Sequence, residues 1–283
     1  MGIPTQAIPD LTALSNLSRS NLLIVHDGTD MKKVTLQQLE KYFIPDGAGS
    51  HNGVYRGKYL GDTYTAAQKA AIAAGTFDDL FIGDYWTIGG FNWRIAAFDY
   101  FYQQGDTAVT KHHATLVPDT RLYQQRMNAS NTTEGGYIGS EMYTSGLDSA
   151  KNTIKAAFGE SFILTCREYL SNAVTNGKVS GGAWCDSQVD LMTEENVYGA
   201  PAFHSIPDGT TICPNHRVDK SQYPLFFFRP DLINCGANRI WYWLRDVVSA
   251  AGFALVSDGG LTYSGYASSA GSGVRPRFSI VGS

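Results

Sequence analysis

The chain has 283 residues, 43% of them hydrophobic and 17% charged, with a formal net charge of −4. That length exceeds what one core usually supports, so two or more domains of a soluble globular protein are expected. The mild negative charge and unclustered Lys and Arg give no footprint for nucleic acid, and thirty glycines with sixteen tyrosines favour β-rich, loop-rich architecture over a helical bundle.

The start, Met1 to Gln6, has neither a basic region nor an apolar run, so no secretory leader is expected, and Gln6 breaks the myristoylation pattern. Residues 1–46 read as a first unit. Ile8 to Leu14 is a short apolar lead broken by Pro9, Leu22 to His26 a brief strand, and Asp27-Gly28 a turn. Val34 to Phe43 predicts an amphipathic helix with a Thr35/Gln38 capping box and Leu36, Leu39 and Phe43 on one face. Such a unit is too small for a good core and is expected to lean on a partner chain or another subunit.

Residues 47–80 read as a linker with a short Ala-rich helix. Positions 46 to 53 have the composition of a flexible joint, and Val54 to Leu60 reads as a strand. Thr65 to Gly75 is a near-ideal short helix, with Thr65 and Gln68 at capping-box spacing and Gly75 as its stop.

From residue 81 to 283 the pattern becomes that of a third region. Tyr85 to Phe98 predicts a hairpin across Gly89-Gly90, and His112 to Val117 a strand closed by Pro118. Leu147 to Gly159 predicts a helix, Phe162 to Thr165 a strand, Arg167 to Ala173 a second helix start, and Glu194 to Tyr198 one helical turn. Short strands follow at Ile240–Leu244, Phe253–Val256, Leu261–Tyr266 and Arg277–Ile280. The longest apolar run, Pro224 to Phe228, falls far short of a bilayer, so no membrane insertion is expected.

No constellation points to catalysis or a cofactor. Asp186, Asp190, Glu194 and Glu195 are scattered through polar sequence without calcium-loop spacing and read as solvated loop charges. His112 and His113 are adjacent on a strand and point to opposite faces, one to the core and one to the surface. Cys166, Cys185, Cys213 and Cys235 lack zinc-type pairing and read as free thiols. Asn128-Ala-Ser130 and Asn131-Thr-Thr133 have the form of glycosylation acceptors but read as loop composition. No Gly-x-Ser-x-Gly turn or phosphate loop occurs.

The most informative stretch lies at the C-terminal end. Phe253 to Ser272 is largely Gly, Ala, Ser and Tyr, set between Trp241 to Arg245 and Gly273 to Phe278. Small residues and tyrosines held in a rigid frame have the composition of a recognition face. Trp241 and Trp243 share one strand face, Trp93 and Trp243 are assigned to the core, and Arg245 and Arg275 read as framework arginines holding carbonyls or a carboxylate such as Asp246.

Four blocks, Ile82 to Arg94, Ala114 to Asp119, Trp241 to Ala251 and Gly273 to Phe278, resemble a C-type-lectin-like domain found in structural proteins of phages infecting gut bacteria. The segment from Ile8 to Leu39 resembles the attachment leader of phage fibre proteins. The resemblance implies an α+β fold of short antiparallel strands, two flanking helices and long loops, in which the first and last strands pair. It also implies a non-enzymatic, trimeric virion protein that binds a bacterial surface receptor, glycan or protein, and joins other phage structural proteins through residues 1–46. In related phage proteins the loop segment after Trp-Leu-Arg can be diversified while the frame is left untouched. That maps onto Tyr242, Phe253, Leu255, Ser257, Asp258, Tyr263, Ser264, Tyr266, Ser268 and Ser269 as exposed ligand contacts. The calcium-lectin motifs Glu-Pro-Asn and Trp-Asn-Asp are absent, as are the paired cysteines of formylglycine-generating enzymes. The rival expectations are a head or collar decoration protein, a bacterial surface adhesin, or an enzyme acting on cell-wall glycans.

Overall fold

A computed structural model describes residues 17–171, 174–175, 178–179, 182–200 and 221–283. The chain divides into two units, Met1–Asp46 and Gly47–Ser283.

In the first unit, strands β1 (Leu22–His26) and β2 (Met31–Thr35) form an antiparallel hairpin. The turn is closed by Asp27, whose Oδ1 accepts from the backbone N–H groups of Thr29 and Asp30 at 3.0 and 2.9 Å. Helix α1 (Leu36–Phe43) begins at the expected capping box, with Gln38 N–H donating to Thr35 Oγ1 at 3.0 Å. Val34 and Thr35 belong to β2 rather than to the helix, because the cap requires extended backbone at Thr35. None of residues 17–46 is buried. The lead Ile8 to Leu14 lies outside the described residues.

The second unit begins at Gly47, so a linker over 47–80 is corrected. Where a flexible joint was expected stands a short helix, α2 (Ala48–His51), and His51 is buried. Its Nδ1 lies 2.6 Å from the Leu80 carbonyl and its ring stacks on Phe81 at 4.8 Å. Val54 to Leu60 is not a regular strand. It makes two isolated bridges, Tyr55 to Ile82 just ahead of the sheet and Tyr59 to Tyr85 at the sheet's edge. Asp84, fully buried, ties this segment down by accepting from Arg56 and from the Lys58 N–H. Helix α3 (Ala66–Ala73) carries the expected Thr65/Gln68 capping box. Gln68 Oε1 also accepts from the buried Trp86 indole at 3.0 Å, and the Tyr64 hydroxyl donates to the Val281 carbonyl at 3.1 Å. Ile72, Phe77 and Leu80 enter the same core as Trp93, Trp243 and Ile280. One core cannot be cut at residue 80.

Strands β3 (Tyr85–Ile88) and β4 (Phe91–Phe98) form the expected hairpin, with positive φ of 63° and 83° at Gly89 and Gly90. Strands β5 (His113–Pro118) and β6 (Tyr123–Gln124) follow, then helix α4 (Asp148–Phe158). Helix α4 buries Ala150, Ile154 and Phe158, and Phe158 packs on Trp86, Trp93 and Phe278. The second helix expected at Arg167 is instead strand β7 (Cys166–Ser171); Ala173 lies outside the described residues. Strands β8 (Val174–Thr175) and β9 (Lys178–Val179) pair with each other, and β10 (Gly182–Ser187) returns along β7. After β11 (Val189–Leu191) comes helix α5 (Glu194–Tyr198), at the helical turn read from the sequence, then α6 (Pro224–Phe228). Strands β12 (Tyr242–Ser249), β13 (Gly252–Val256), β14 (Thr262–Tyr266), β15 (Gly273–Val274) and β16 (Pro276–Val281) complete the unit.

The architecture is α+β, mostly antiparallel strands with few helices. Two five-stranded sheets dominate it, in the orders β11-β16-β5-β4-β3 and β14-β13-β12-β15-β6. The first and last strands of the unit do not pair: β16 lies between β11 and β5, and β3 is the far edge. Every residue of β16 is buried, which suits an interior place, whereas β3 is mostly half-buried. Among the described residues no helix is long and apolar enough to cross a membrane.

Replacing Gln68 by Ala removes a cap and leaves the buried Trp86 N–H unpaired. Urea unfolding should show a loss of about 2 kcal/mol; an unchanged curve would place the Trp86 contact outside the stabilising set.

Candidate functional site

Strands β12, β13 and β14 form a meander whose cross-strand partners are Trp243 with Leu255 and Leu255 with Tyr263. Alternation places Trp241 on the same side as Trp243, and its ring meets Tyr263 edge-on, with centroids 5.7 Å apart. Gly265 continues the row. A β-carbon there would lie 2.5 Å from Leu255 and 2.8 Å from the Trp243 ring, so only glycine lets β14 lie down on the indole.

Over this row opens a groove of about 570 Å³. Its aromatic wall is Trp241, Tyr263 and Tyr266, which are 37%, 55% and 67% exposed, with Leu255 beneath. Ser249, Ser264, Ser269 and Ser272 supply hydroxyls, and Gly252 and Gly265 leave the floor bare. The rim is tethered through Ser268, whose hydroxyl donates to Asn131 Oδ1 at 2.6 Å. Buried Asn128 holds that neighbouring loop, donating to the Thr132 carbonyl at 2.7 Å and accepting from the Glu141 N–H at 2.8 Å.

Of the ten contact residues expected from the sequence, Leu255, Tyr263, Ser264, Tyr266 and Ser269 line the groove. Tyr242, Phe253, Leu255 and Ser257 are buried, which corrects the expectation that they are exposed contacts. Every residue of β13 is buried, so Phe253 is core and Leu255 is the buried floor of the groove. The Tyr242 hydroxyl donates to the Ile233 carbonyl at 2.8 Å, and burial pushes its pKa upward. Asp258 is exposed but stands in the β13–β14 turn, where its carbonyl accepts from Asn234 at 2.9 Å. Sequence reasoning missed Trp241, Ser249, Gly252, Gly265 and Ser272. The Trp241/Trp243 alternation already carried the signal for the first.

The framework residues are where they were expected, and Trp93 and Trp243 are fully buried. The Trp243 indole donates to the Gln125 carbonyl at 2.8 Å. Arg275 donates to the carbonyls of Pro118, Leu232 and Ile233 at 2.9, 2.9 and 3.0 Å. A register shift in β12 frees the Arg245 N–H to donate to Met192 O at 3.0 Å. That places the Arg245 guanidinium beside Glu168 at 2.9 Å and Asp190 at 3.5 Å. Arg277, not singled out from sequence, also donates to Glu168 and sits opposite Asp190 in the β11–β16 register. Tyr137 and Ser187 donate to Asp190. Burial raises the Asp190 pKa against the opposing pull of Arg245, and burial lowers that of Arg277.

Asp190, Glu194 and Glu195 are therefore buried and not solvated loop charges; Asp186 alone of that set is exposed. Glu194 accepts from Thr262 Oγ1 on β14, and its N–H donates to Asp246 at 2.7 Å. His113 is in the core, where burial lowers its pKa, and His112 is half-exposed beside Asp99 at 2.7 Å. Cys166 and Cys235 are buried free thiols and Cys185 is half-buried; Cys213 lies outside the described residues. Among the described residues no group of three or more His, Cys, Asp or Glu could hold a metal ion.

Glu168→Gln should cost about 3–5 kcal/mol, because it leaves two buried guanidinium groups short of their anion. Asp106→Asn, at the exposed Arg167 pair, should leave the unfolding curve unchanged. Equal effects of the two in chemical denaturation would contradict a buried charge frame. Gly265→Val should distort the groove and cost about 1–3 kcal/mol by overpacking, read as a lowered melting temperature with altered tryptophan fluorescence. Comparison of the chain with protein-family models, curated proteins and solved structures found no match.

Proposed function

We propose that the Gly47–Ser283 unit is a C-type-lectin-like recognition head, and that the chain is a phage fibre or receptor-binding protein of the virion that attaches to a bacterial surface ligand. The observation that carries this reading is the groove itself: three exposed aromatic rings and four serine hydroxyls on and beside strands whose neighbours are braced by buried arginines. Rigid aromatics lose little entropy on binding, and serines adapt their hydrogen bonds to the ligand. The side chains that would make contact are separate from those that hold the fold, as a binding surface requires.

The Met1–Asp46 unit supports the second half of the reading. Its hairpin and helix bury none of the described residues and expose Leu22, Ile24, Met31, Tyr42 and Phe43. A two-stranded hairpin with so little core gains stability by packing on something else. We assign that surface to other phage structural proteins and to self-assembly as a trimer, which would present several heads at once and raise avidity. No turnover of the ligand is part of this reading.

Tyr263→Ala with Tyr266→Ala should reduce adsorption to the host bacterium by at least about tenfold, since two aromatic anchors of a small site are removed. Unfolding should be unaffected, because both rings are exposed. Unchanged adsorption would overturn the site assignment.

A further inference from the structure

The groove's chemistry narrows the kind of ligand it accepts. Among its described lining residues there is no Lys, Arg, His, Asp or Glu. A phosphate, carboxylate or ammonium group entering it would lose water without gaining a counter-charge, which is strongly unfavourable. A purely apolar ligand fares little better, because the hydroxyls of Ser264 and Ser269 would be dehydrated on its entry. The lining therefore suits a molecule with apolar C–H faces and hydroxyl edges together. The aromatic wall is arranged for such faces: Trp241 and Tyr263 meet edge-on, so their planes offer two surfaces nearly at right angles, at 88°. The volume of about 570 Å³ lies within the range of small-ligand sites.

We infer that this groove takes an uncharged saccharide, held by its ring faces on Trp241, Tyr263 and Tyr266 and by its hydroxyls on the groove serines, without a bridging metal ion. This rests on reading the groove as a recognition site. A carboxylate set that could bridge calcium to sugar hydroxyls is missing from the described lining residues, so sugar contact here is direct. The competing occupant is a peptide laid along β14, which is the outer strand of its sheet.

The test uses the full chain on an immobilised panel of neutral, phosphorylated and uronate-containing bacterial oligosaccharides, with EDTA and without. Binding is expected to neutral members only, unchanged by EDTA. It should fall at least about tenfold in Trp241→Ala and in Tyr266→Ala, the second being an exposed position that leaves the fold undisturbed. Binding to charged members only, to none, or unaltered by both substitutions would overturn the inference. A parallel arm treats host cells with periodate or with protease before adsorption. Loss of adsorption after periodate alone supports the saccharide. Loss after protease alone overturns it while leaving surface recognition standing. Neutral-sugar binding without any cell adsorption would uphold the ligand class and overturn the proposed function instead.

Discussion

The second unit depends on how its chain crosses from one sheet to the other at Arg275. Gly273 and Val274 belong to the β6 sheet, and Pro276 begins the strand that pairs with β5 and β11. The residue between them is an arginine with no exposed surface. Its guanidinium spans the crossing, reaching Pro118 at the end of β5 and the Leu232 and Ile233 carbonyls and Tyr242 hydroxyl beside β12. It also lies over the Tyr242 and Phe226 rings at 5.1 and 5.4 Å. Irregular segments such as 229–241 leave carbonyls without strand partners. The planar guanidinium reaches carbonyls on both sides of the crossing, Pro118 through Nε and Leu232 and Ile233 through Nη1, a spread that a compact ammonium lacks.

A pair of arginines performs the same service for charge. Arg245 and Arg277 share Glu168 and Asp190, two positive against two negative, with Tyr137 and Ser187 filling remaining acceptor sites. Such a set is not a source of stability in itself, since desolvation offsets attraction. What it fixes is arrangement: β7, β11, β12 and β16 each contribute one member. The β12–β14 meander, which carries the groove, is thereby located against the central sheet. Long loops then need little structure of their own.

Much of this was legible where the signal is local. The Thr35/Gln38 and Thr65/Gln68 boxes, the Gly89-Gly90 hairpin and the α4 stop at Gly159 depend on residues a few positions apart. The failures are tertiary. Asp46 to Gly53 has the composition of a joint, yet the buried His51 ring stacks on Phe81 and ties its helix to the core. Arg167 to Leu170 has no periodicity that reveals a strand; its pairing with Gly182 to Ser187 decides it. In the candidate site, the composition of 253 to 272 pointed to the right stretch but could not separate faces. Phe253 and Leu255 stand on the interior strand β13 and are buried, whereas Tyr263 and Tyr266 stand on the edge strand β14 and are exposed. Trp241 precedes the first residue of β12, where an aromatic ring comes free, whereas Trp243 two residues on is core.

The central claim is that recognition occurs on the β12–β14 groove and leaves the arginine frame unmoved. Hydroxyl-radical footprinting of the full chain, free and bound to host cell envelopes, addresses it directly. Oxidation of Trp241, Tyr263 and Tyr266 should fall on binding while that of the exposed Tyr59 and Phe227 stays constant. Protection at Tyr59 or Phe227 with the groove rings still oxidised would contradict the account.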